Sequence, residues 1–249
     1  MHRSMNSTVA HSRPDLLKAL EQRYASNGPL NWQSLRGRWK RAAWFSAITF
    51  ARLLKRLMDI LGASTGLLLL SPLLVLVALA IWLHDRGPVF FVQKRVGQWG
   101  REFDFPKFRS MVNNAEALKA QLIAQNHHKE GVTFKIQRDP RVTPIGRWLR
   151  KTSIDELPQL WSVLKGDMSL VGPRPPLPNE VLQYKLSDRR RLDVKPGLTC
   201  YWQVEGRGDV PFDQQVAMDI RYVDSQSIWL DIWLLVKTIP AVIQGKGAY

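Results

Sequence analysis

The chain contains an uncharged apolar stretch of 24 residues, residues 60–83, which limits the folds that it can adopt. As a straight helix it would be roughly 36 Å long, enough to cross a hydrocarbon core of about 30 Å. Ser71-Pro72 lies in its middle, where proline removes a helical hydrogen bond and favours a bend. A carbonyl left free at that depth needs a new donor, and the Ser71 hydroxyl is a candidate. The stretch is therefore predicted to be membrane-embedded.

Positive charge borders this stretch on both sides. The cations are Arg52, Lys55 and Arg56 before it and Arg86, Lys94, Arg95 and Arg101 after it. Because Lys and Arg mark the cytoplasmic side of a membrane segment, cations at both ends favour a hairpin that enters and leaves the same leaflet. From these residues alone a spanning helix stays an equal alternative, since proline-kinked spanning helices are common.

The overall charge narrows the class of partner. The formal net charge is +15, which fits nucleic acid, an anionic membrane surface or a polyphosphate substrate. The apolar stretch favours the membrane and argues against nucleic acid. Cys200 is the single cysteine, so no intramolecular disulfide is expected. The five histidines lack a zinc-ligand spacing.

The chain divides into three predicted regions. Residues 1–50 form an N-terminal extension whose last part is basic and aromatic, typical of a membrane interface; residues 51–86 form the membrane segment; residues 87–249 form the catalytic domain. In the last region, 89–92 and 102–105 are strand-like and 113–126 is a polar helix.

A helix is also predicted at residues 228–237, with Trp229 and Trp233 four apart on one face. It is either a core helix or an interfacial helix that docks the domain on lipid.

The strongest chemical signal is the carboxylate pair Asp155-Glu156 in a basic surrounding. The nearby cations are Arg138, Arg141, Arg147, Arg150 and Lys151 upstream and Arg174, between two prolines, downstream. This mixture suits phosphoryl transfer, where positioning and charge neutralisation supply most of the catalysis. A structural alternative is a capping box formed by Ser153 and Glu156 at the start of a helix over 157–164 that stops at Gly166.

A set of ordered motifs extends over residues 55–249. The segments are Lys55-Arg56 with Asp59, Ser71-Pro72, Pro88-Val89-Phe90-Phe91 with Gln93 and Arg95-Val96-Gly97, Lys107-Phe108-Arg109-Ser110-Met111, Asp139-Pro140-Arg141-Val142-Thr143, Leu149 to Gln159, Gly166 to Pro175, and Gly247-Ala248-Tyr249. In these segments the chain resembles the bacterial sugar transferases, small monotopic polyprenol-phosphate phosphoglycosyl transferases.

This resemblance implies an activity and a location. Members transfer a sugar-1-phosphate from a nucleotide diphosphate sugar, usually uridine-linked, to undecaprenyl phosphate and release the nucleoside monophosphate. The reaction uses Mg²⁺ and begins surface glycan assembly, such as exopolysaccharide or O-antigen, at the cytoplasmic face of the bacterial inner membrane. The implied fold is α/β, mostly helical with a small sheet, held monotopically by a re-entrant helix-break-helix hairpin at Ser71-Pro72 and by interfacial helices.

The resemblance also implies roles for individual residues. Asp155 matches the nucleophile, which would form a phospho-aspartyl intermediate, and Glu156 with Asp155 beside it matches the metal site. The residues matching the phosphate-binding positions are Lys107, Arg109, Arg150 and Arg174, and those matching the membrane hairpin are Lys55, Arg56, Asp59, Ser71 and Pro72. For each of the four cations, a structural ion pair is the alternative role.

Two other functions compete with this one. A glycosyltransferase would move the sugar alone and release the nucleoside diphosphate, whereas a catalytically silent basic membrane scaffold would only bind anionic lipid or nucleic acid. The expected partners are the nucleotide sugar, undecaprenyl phosphate and an anionic bilayer, and a homodimer is left open.

Overall fold

The computed structural model describes residues 32–115, 117–118, 139–206 and 210–244. Most of the predicted N-terminal extension, most of the polar helix at 113–126 and the final motif at 247–249 lie outside the described residues. The chain divides into two compact units, Met1–Phe50 and Ala51–Tyr249. The contacts below all lie within the second unit.

The apolar stretch belongs to one long helix, α1, which runs from Trp32–Asp85 and contains Pro72. Its part Ala42–Asp85 is long and apolar enough to cross a membrane, with a mean hydropathy of 2.6 in its most apolar window. The predicted apolar helix is thus present, and it stays helical through Pro72. The Ser71 hydroxyl donates to the Leu68 carbonyl at 2.8 Å. That carbonyl is the one Pro72 cannot serve, so the predicted compensation by Ser71 is confirmed.

One face of α1 packs against the globular body along the whole apolar stretch. The buried or half-buried residues of this face are Asp59, Ala63, Gly66, Leu67, Leu70, Leu73, Leu74, Val77, Ala78 and Ile81. Their spacing of three or four residues keeps them on a single stripe on both sides of Pro72. The opposite face is apolar and exposed, with Leu68 75% and Leu76 63% exposed. The helix therefore presents one face to protein and one to its surroundings.

Three polar residues near the start of the stretch anchor α1 to the body. Lys55 Nζ lies 2.6 Å from Asp231 Oδ2 and donates to the Val171 carbonyl at 3.1 Å. The guanidinium of Arg56 donates to the Val163 and Leu164 carbonyls, both at 2.6 Å.

Asp59 is buried and accepts hydrogen bonds from the Ser169 hydroxyl and the Leu170 amide, both at 2.9 Å. Two small residues let α1 approach closely at the same place. A Cβ added at Gly62 would lie 2.6 Å from the Leu170 side chain, and one at Gly66 would lie 3.2 Å from Leu160. Lys55, Arg56 and Asp59, assigned to the hairpin from sequence, therefore join α1 to the body.

The first sheet is an antiparallel pair, β1 (Phe90–Val96) and β2 (Glu102–Phe108). They are joined through a 3₁₀ turn, Gln98–Gly100, in which Trp99 and Gly100 have positive φ. Both predicted strands are confirmed, and each is longer than its sequence signal. The register pairs Phe91 with Lys107 and Arg95 with Phe103.

The second sheet is a parallel pair, β3 (Ser169–Val171) and β4 (Gly197–Thr199). Backbone continues to pair beyond β3: Gly172 N donates to Thr199 O at 3.0 Å, and Gly197 N donates to Pro173 O at 2.9 Å. A Cβ at Gly197 would lie 2.0 Å from Gly172 N, so only glycine fits this crossing. The Pro173-Arg174-Pro175 loop thus starts from a rigid base.

Helices make up the rest of the described fold. They are α2 (Pro144–Lys151), α3 (Gln159–Lys165), α4 (Pro178–Leu182), α5 (Tyr201–Glu205), α6 (Phe212–Ser225) and α7 (Ile228–Gln244), with 3₁₀ turns at Ile154–Glu156 and Asp188–Leu192. The predicted α/β class, mostly helical, is confirmed, but with two small sheets in the described chain. On α7, Asp231 and Leu234 are fully buried while Trp229 is 78% exposed. α7 therefore packs on the core through one face, as the core-helix alternative expects, and docking of the exposed Trp229 side on lipid stays a prediction.

The Lys55–Asp231 pair yields the first prediction. Asp231 also accepts from the Tyr222 hydroxyl at 2.7 Å, and its side chain is 1% exposed. Asp231→Asn leaves the Lys55 ammonium without its counter-charge, a change that costs about 3–5 kcal/mol at buried pairs. We expect a clear drop in the thermal unfolding midpoint of the purified protein. Arg190→Gln, which breaks the exposed pair with Asp224, is the control, and equal shifts in both variants would contradict the assignment.

Candidate functional site

The carboxylate pair lies on a tight turn between α2 and α3. Thr143 caps α2 by accepting from Gly146 N at 2.9 Å, and α2 ends at Lys151. Ser153 then adopts a left-handed conformation with φ 57°, and Ile154–Glu156 form one 3₁₀ turn. The Ser153 side chain makes no capping hydrogen bond there, so the predicted capping box is wrong. A non-glycine residue with positive φ is uncommon and is often found at functional sites.

Helix α2 is held directly on the backbone that follows β2. Thr143 N donates to Ser110 O at 3.1 Å, and a Cβ at Gly146 would lie 1.9 Å from that oxygen. The close approach lets Arg150, near the end of α2, donate from Nε to the Ser110 hydroxyl at 2.9 Å. Arg150 is thereby oriented beside the turn that carries Asp155.

Asp155 is buried, whereas Glu156 is half-buried. Burial raises the pKa of Asp155 to about 7, and the negative charge of Glu156 adds to the rise. Lys107 and Arg150 oppose it, because their positive charges favour the ionised carboxylate. The structure thus brings four predicted site residues, Asp155, Glu156, Lys107 and Arg150, into one electrostatic cluster.

Lys107 reaches this cluster from β2. Its ammonium lies 5.4 Å from the centre of the Phe91 ring. Burial lowers the pKa of Lys107 to about 8, with the positive charge of Arg95 acting in the same direction and Asp155 in the opposite one. No ion pair with Lys107 occurs among the described residues, so its charge is available to an anion.

Arg174 is exposed and lies between buried prolines, Pro173 and Pro175. Its guanidinium lies 5.8 Å from the centre of the Trp202 ring. The positive charge of Arg174 lowers the pKa of Arg95, and the negative charge of Glu156 raises it. Arg95 therefore lies close enough to feel both the Pro-Arg-Pro loop and the carboxylate turn. The loop therefore belongs to the same region of the molecule.

Arg109 is the predicted phosphate-binding residue that has other partners. Its guanidinium pairs with Asp85, at the end of α1, and donates to the Asn113 side chain. Arg109 therefore has the structural ion pair that is the alternative role for each of the four cations. A contact between Arg109 and substrate stays a prediction.

Two residues of this region carried no role in the sequence. Arg95 is buried on β1, and Ser110 orients Arg150. The alternation of β1 was the available signal for Arg95, since it puts Phe91, Gln93 and Arg95 on one face of the strand. The partner of Ser110 is forty positions away in the chain and has no such local signal.

The carboxylate pair is a reasonable site for Mg²⁺. No group of three or more His, Cys, Asp or Glu side chains suited to a metal is present in the part of the chain that the structure describes. Mg²⁺ does not need one, because it commonly binds one or two carboxylates together with substrate phosphates and water. The Glu156 carboxylate has no hydrogen bond or ion pair with any described residue, which leaves it free for a ligand.

Comparison with known proteins agrees with this geometry. The sequence model described as "Bacterial sugar transferase" matches residues 50–245. The galactosyl transferase CpsE of Streptococcus agalactiae is 47% identical over 195 residues, which are 78% of this chain and 43% of that protein. The undecaprenyl-phosphate galactose phosphotransferase of Salmonella typhimurium is 43% identical over 202 residues, 80% of this chain and 42% of that protein.

The chain therefore spans about two-fifths of the length of these two relatives. The exopolysaccharide production protein ExoY of Rhizobium meliloti is shorter. It is 41% identical over 198 residues, which are 78% of this chain and 88% of that protein. The match covers α1 from residue 50 together with the carboxylate turn and the Pro-Arg-Pro loop. On these grounds the chain belongs to the bacterial sugar transferase family.

Proposed function

We propose that this protein transfers a sugar-1-phosphate from a nucleoside diphosphate sugar, uridine-linked in the simplest case, to undecaprenyl phosphate. The observation that carries the proposal is the buried Asp155 beside Glu156, within reach of the charges of Lys107 and Arg150. A buried carboxylate close to two cations is suited to attack a group that carries negative charge, such as a phosphate. The name of the Salmonella relative supports undecaprenyl phosphate as the acceptor, and the name of ExoY supports a role in exopolysaccharide production.

The reaction proceeds in two displacements. In the first, an Asp155 carboxylate oxygen attacks the sugar-bearing phosphorus, and the bond to the bridging oxygen breaks. The nucleoside monophosphate leaves with that electron pair, and an acyl phosphate remains on Asp155. In the second, a phosphate oxygen of undecaprenyl phosphate attacks the same phosphorus. The bond to Asp155 breaks, and the carboxylate is regenerated with the sugar on a lipid diphosphate.

The cations of the site serve both displacements. Lys107 and Arg150 lie next to Asp155 and neutralise the charge on the transferred phosphoryl group. Arg174 binds the diphosphate from the Pro-Arg-Pro loop. Arginine suits this task because its planar fork matches two phosphate oxygens at once. Mg²⁺ held by Glu156, with Asp155 beside it, would neutralise further charge on the phosphate oxygens.

The exposed apolar face of α1 supports a re-entrant insertion from the cytoplasmic side of the inner membrane. The body packs along this helix from Lys55 to Asp85, so a perpendicular span would carry charged protein surface into the hydrocarbon. α1 is helical through Pro72, and the proposed re-entrant path requires it to bend at Ser71-Pro72 in the bilayer so that both ends stay on one side. The helices α2, α3 and α7, which contact α1, carry four exposed tryptophans: Trp148, Trp161, Trp229 and Trp233. Tryptophan prefers the membrane interface.

The nucleophile is tested by Asp155→Asn. The amide keeps the shape of the side chain but cannot form the acyl phosphate, so we expect nucleotide release to be abolished in a protein that stays folded. Asp104→Asn, at an exposed carboxylate of β2, removes the same charge and should keep activity. Substantial turnover by the Asp155 variant would refute the role.

The same assay identifies the reaction. With the nucleotide sugar alone, intact-protein mass spectrometry should detect a sugar-phosphate adduct that is missing in Asp155→Asn. Nucleotide release that strictly needs the lipid, with no adduct, would favour direct transfer. Release of the nucleoside diphosphate would establish a glycosyltransferase instead.

The pH dependence follows from two shifted groups. The pKa of Asp155 is raised to about 7, so the attacking carboxylate is lost as the pH falls below that value. The pKa of Lys107 is lowered to about 8, so its positive charge is lost as the pH rises above that value. We expect kcat/KM for nucleotide release to be bell-shaped with limbs near these values. An acidic limb near pH 4 would contradict a buried nucleophile.

Lys107→Met sharpens this test. It removes a charge that lowers the pKa of Asp155, so the acidic limb should move to higher pH while the alkaline limb disappears. An unchanged dependence of kcat/KM on pH would show that Lys107 does not act on Asp155.

The membrane arrangement is tested with single cysteines. Ser46→Cys and Gln98→Cys, each in a Cys200→Ala background, should both react with an impermeant thiol reagent from the cytoplasmic side alone. Labelling of Ser46→Cys from the periplasm would indicate a spanning helix.

A further inference from the structure

Arg95 is a buried arginine that the proposed chemistry does not use. It is 5% exposed and lies on β1 opposite Phe103. Because cross-strand partners share a face, Arg95, Gln93 and Lys107 all lie on the same face of the β1–β2 pair. That face is the one from which Lys107 reaches Asp155.

The guanidinium of Arg95 is held by three contacts. Nη1 donates to the Pro175 carbonyl at 3.0 Å, and Nη2 donates to the Gln93 side-chain oxygen at 2.9 Å. Its centre lies 5.2 Å from the centre of the Phe105 ring. These contacts fix one position of the side chain, and the first of them fastens the residue that follows Arg174.

The strand adds a second attachment at the next residue of the loop. Val96 N donates to the Pro176 carbonyl at 2.9 Å. Upstream, the Pro173 carbonyl accepts from Gly197 N. Arg174 is therefore the exposed residue of a segment that is held on both sides. Its prolines have a fixed φ, so displacement of the Pro175 carbonyl would redirect the Arg174 side chain.

The charge of Arg95 is not neutralised by direct contact with a described carboxylate. It forms no ion pair with any described carboxylate, and its Nε has no hydrogen-bond partner there. Burial and the positive charge of Arg174 together lower the pKa of Arg95 to about 10, and the negative charges of Glu180 and Glu156 oppose this shift. Arg95 and Arg174 thus stand close together, and neither forms an ion pair with a described carboxylate, so the binding of a polyanion would reduce the repulsion between them.

We propose that Arg95 is a positioning residue that holds the Pro175 carbonyl so that Arg174 meets the diphosphate of the donor. This inference rests on the proposed function for the identity of the donor. A fold-stabilising role of Arg95 alone would leave anion affinity unchanged.

Inorganic pyrophosphate is the probe, because it presents the diphosphate without sugar, nucleoside or lipid. Its affinity is measured by calorimetry with the full chain in nanodiscs, in buffer free of Mg²⁺. Arg95→Gln should weaken binding about tenfold or more, the size typical of losing a charged hydrogen bond. Lys94→Gln removes the same charge from the adjacent, exposed position of β1 and should stay within about twofold. Equal effects of the two variants would overturn the proposal.

Arg95→Lys separates geometry from charge. A single ammonium cannot hold the Pro175 and Gln93 oxygens in the same fork, so binding should stay weak although the charge is kept. Recovery to wild-type affinity would overturn positioning in favour of a charge effect. This variant also serves if Arg95→Gln fails to fold, as judged by its unfolding midpoint.

A double-mutant cycle tests the route through Arg174. In an Arg174→Gln background, Arg95→Gln should add less than about twofold, because its effect depends on that side chain. Independent, multiplying losses would refute the route. Failure of the wild-type protein to release nucleotide would refute the proposed function but not the role of Arg95, because pyrophosphate binding is measured without turnover.

Discussion

The buried ion pair between Lys55 and Asp231 connects two parts of this fold that are 176 positions apart in the sequence. It joins the start of the apolar stretch to α7, and Lys55 also donates to the Val171 carbonyl at the end of β3. The Tyr222 hydroxyl completes the group by donating to Asp231. Val171 immediately precedes the Gly172-Pro173-Arg174 segment, so one charged contact fixes both the apolar helix and the base of the loop that presents Arg174.

The proposed chemistry depends on a balance of burial and charge at the turn between α2 and α3. Burial alone would raise the pKa of Asp155 further and leave the side chain a neutral acid, which could not act as the proposed nucleophile. Lys107 and Arg150 keep its pKa near neutrality, and Arg150 is oriented through Ser110. The turn requires Ser153 in the left-handed conformation. The packing of α2 and α3 on either side offsets the free energy that this conformation costs.

Local patterns in the sequence predicted local structure well. An apolar run predicted β1 and alternation predicted β2, and Gly166 ended α3 in the left-handed conformation expected of a helix stop. The carboxylate pair and its cations were visible because they are close together in the chain. Partners at long range were not visible: nothing in the sequence distinguishes Arg109, which pairs with Asp85, from Lys107, which forms no ion pair with a described residue. The type of a charged residue indicates its charge, whereas its partner depends on the packing of elements that are distant in sequence.

The one-sided burial of α1 has a consequence for encounter with the acceptor. A protein held by one face of a helix keeps a fixed tilt and height relative to the bilayer, while it diffuses freely within the plane. Its search for the proposed lipid acceptor would then be two-dimensional, and the encounter rate would be set by the number of acceptors per unit of membrane area. Dilution of the surrounding bilayer with other lipids would slow the proposed second displacement, whereas dilution of the aqueous volume would slow the proposed first one.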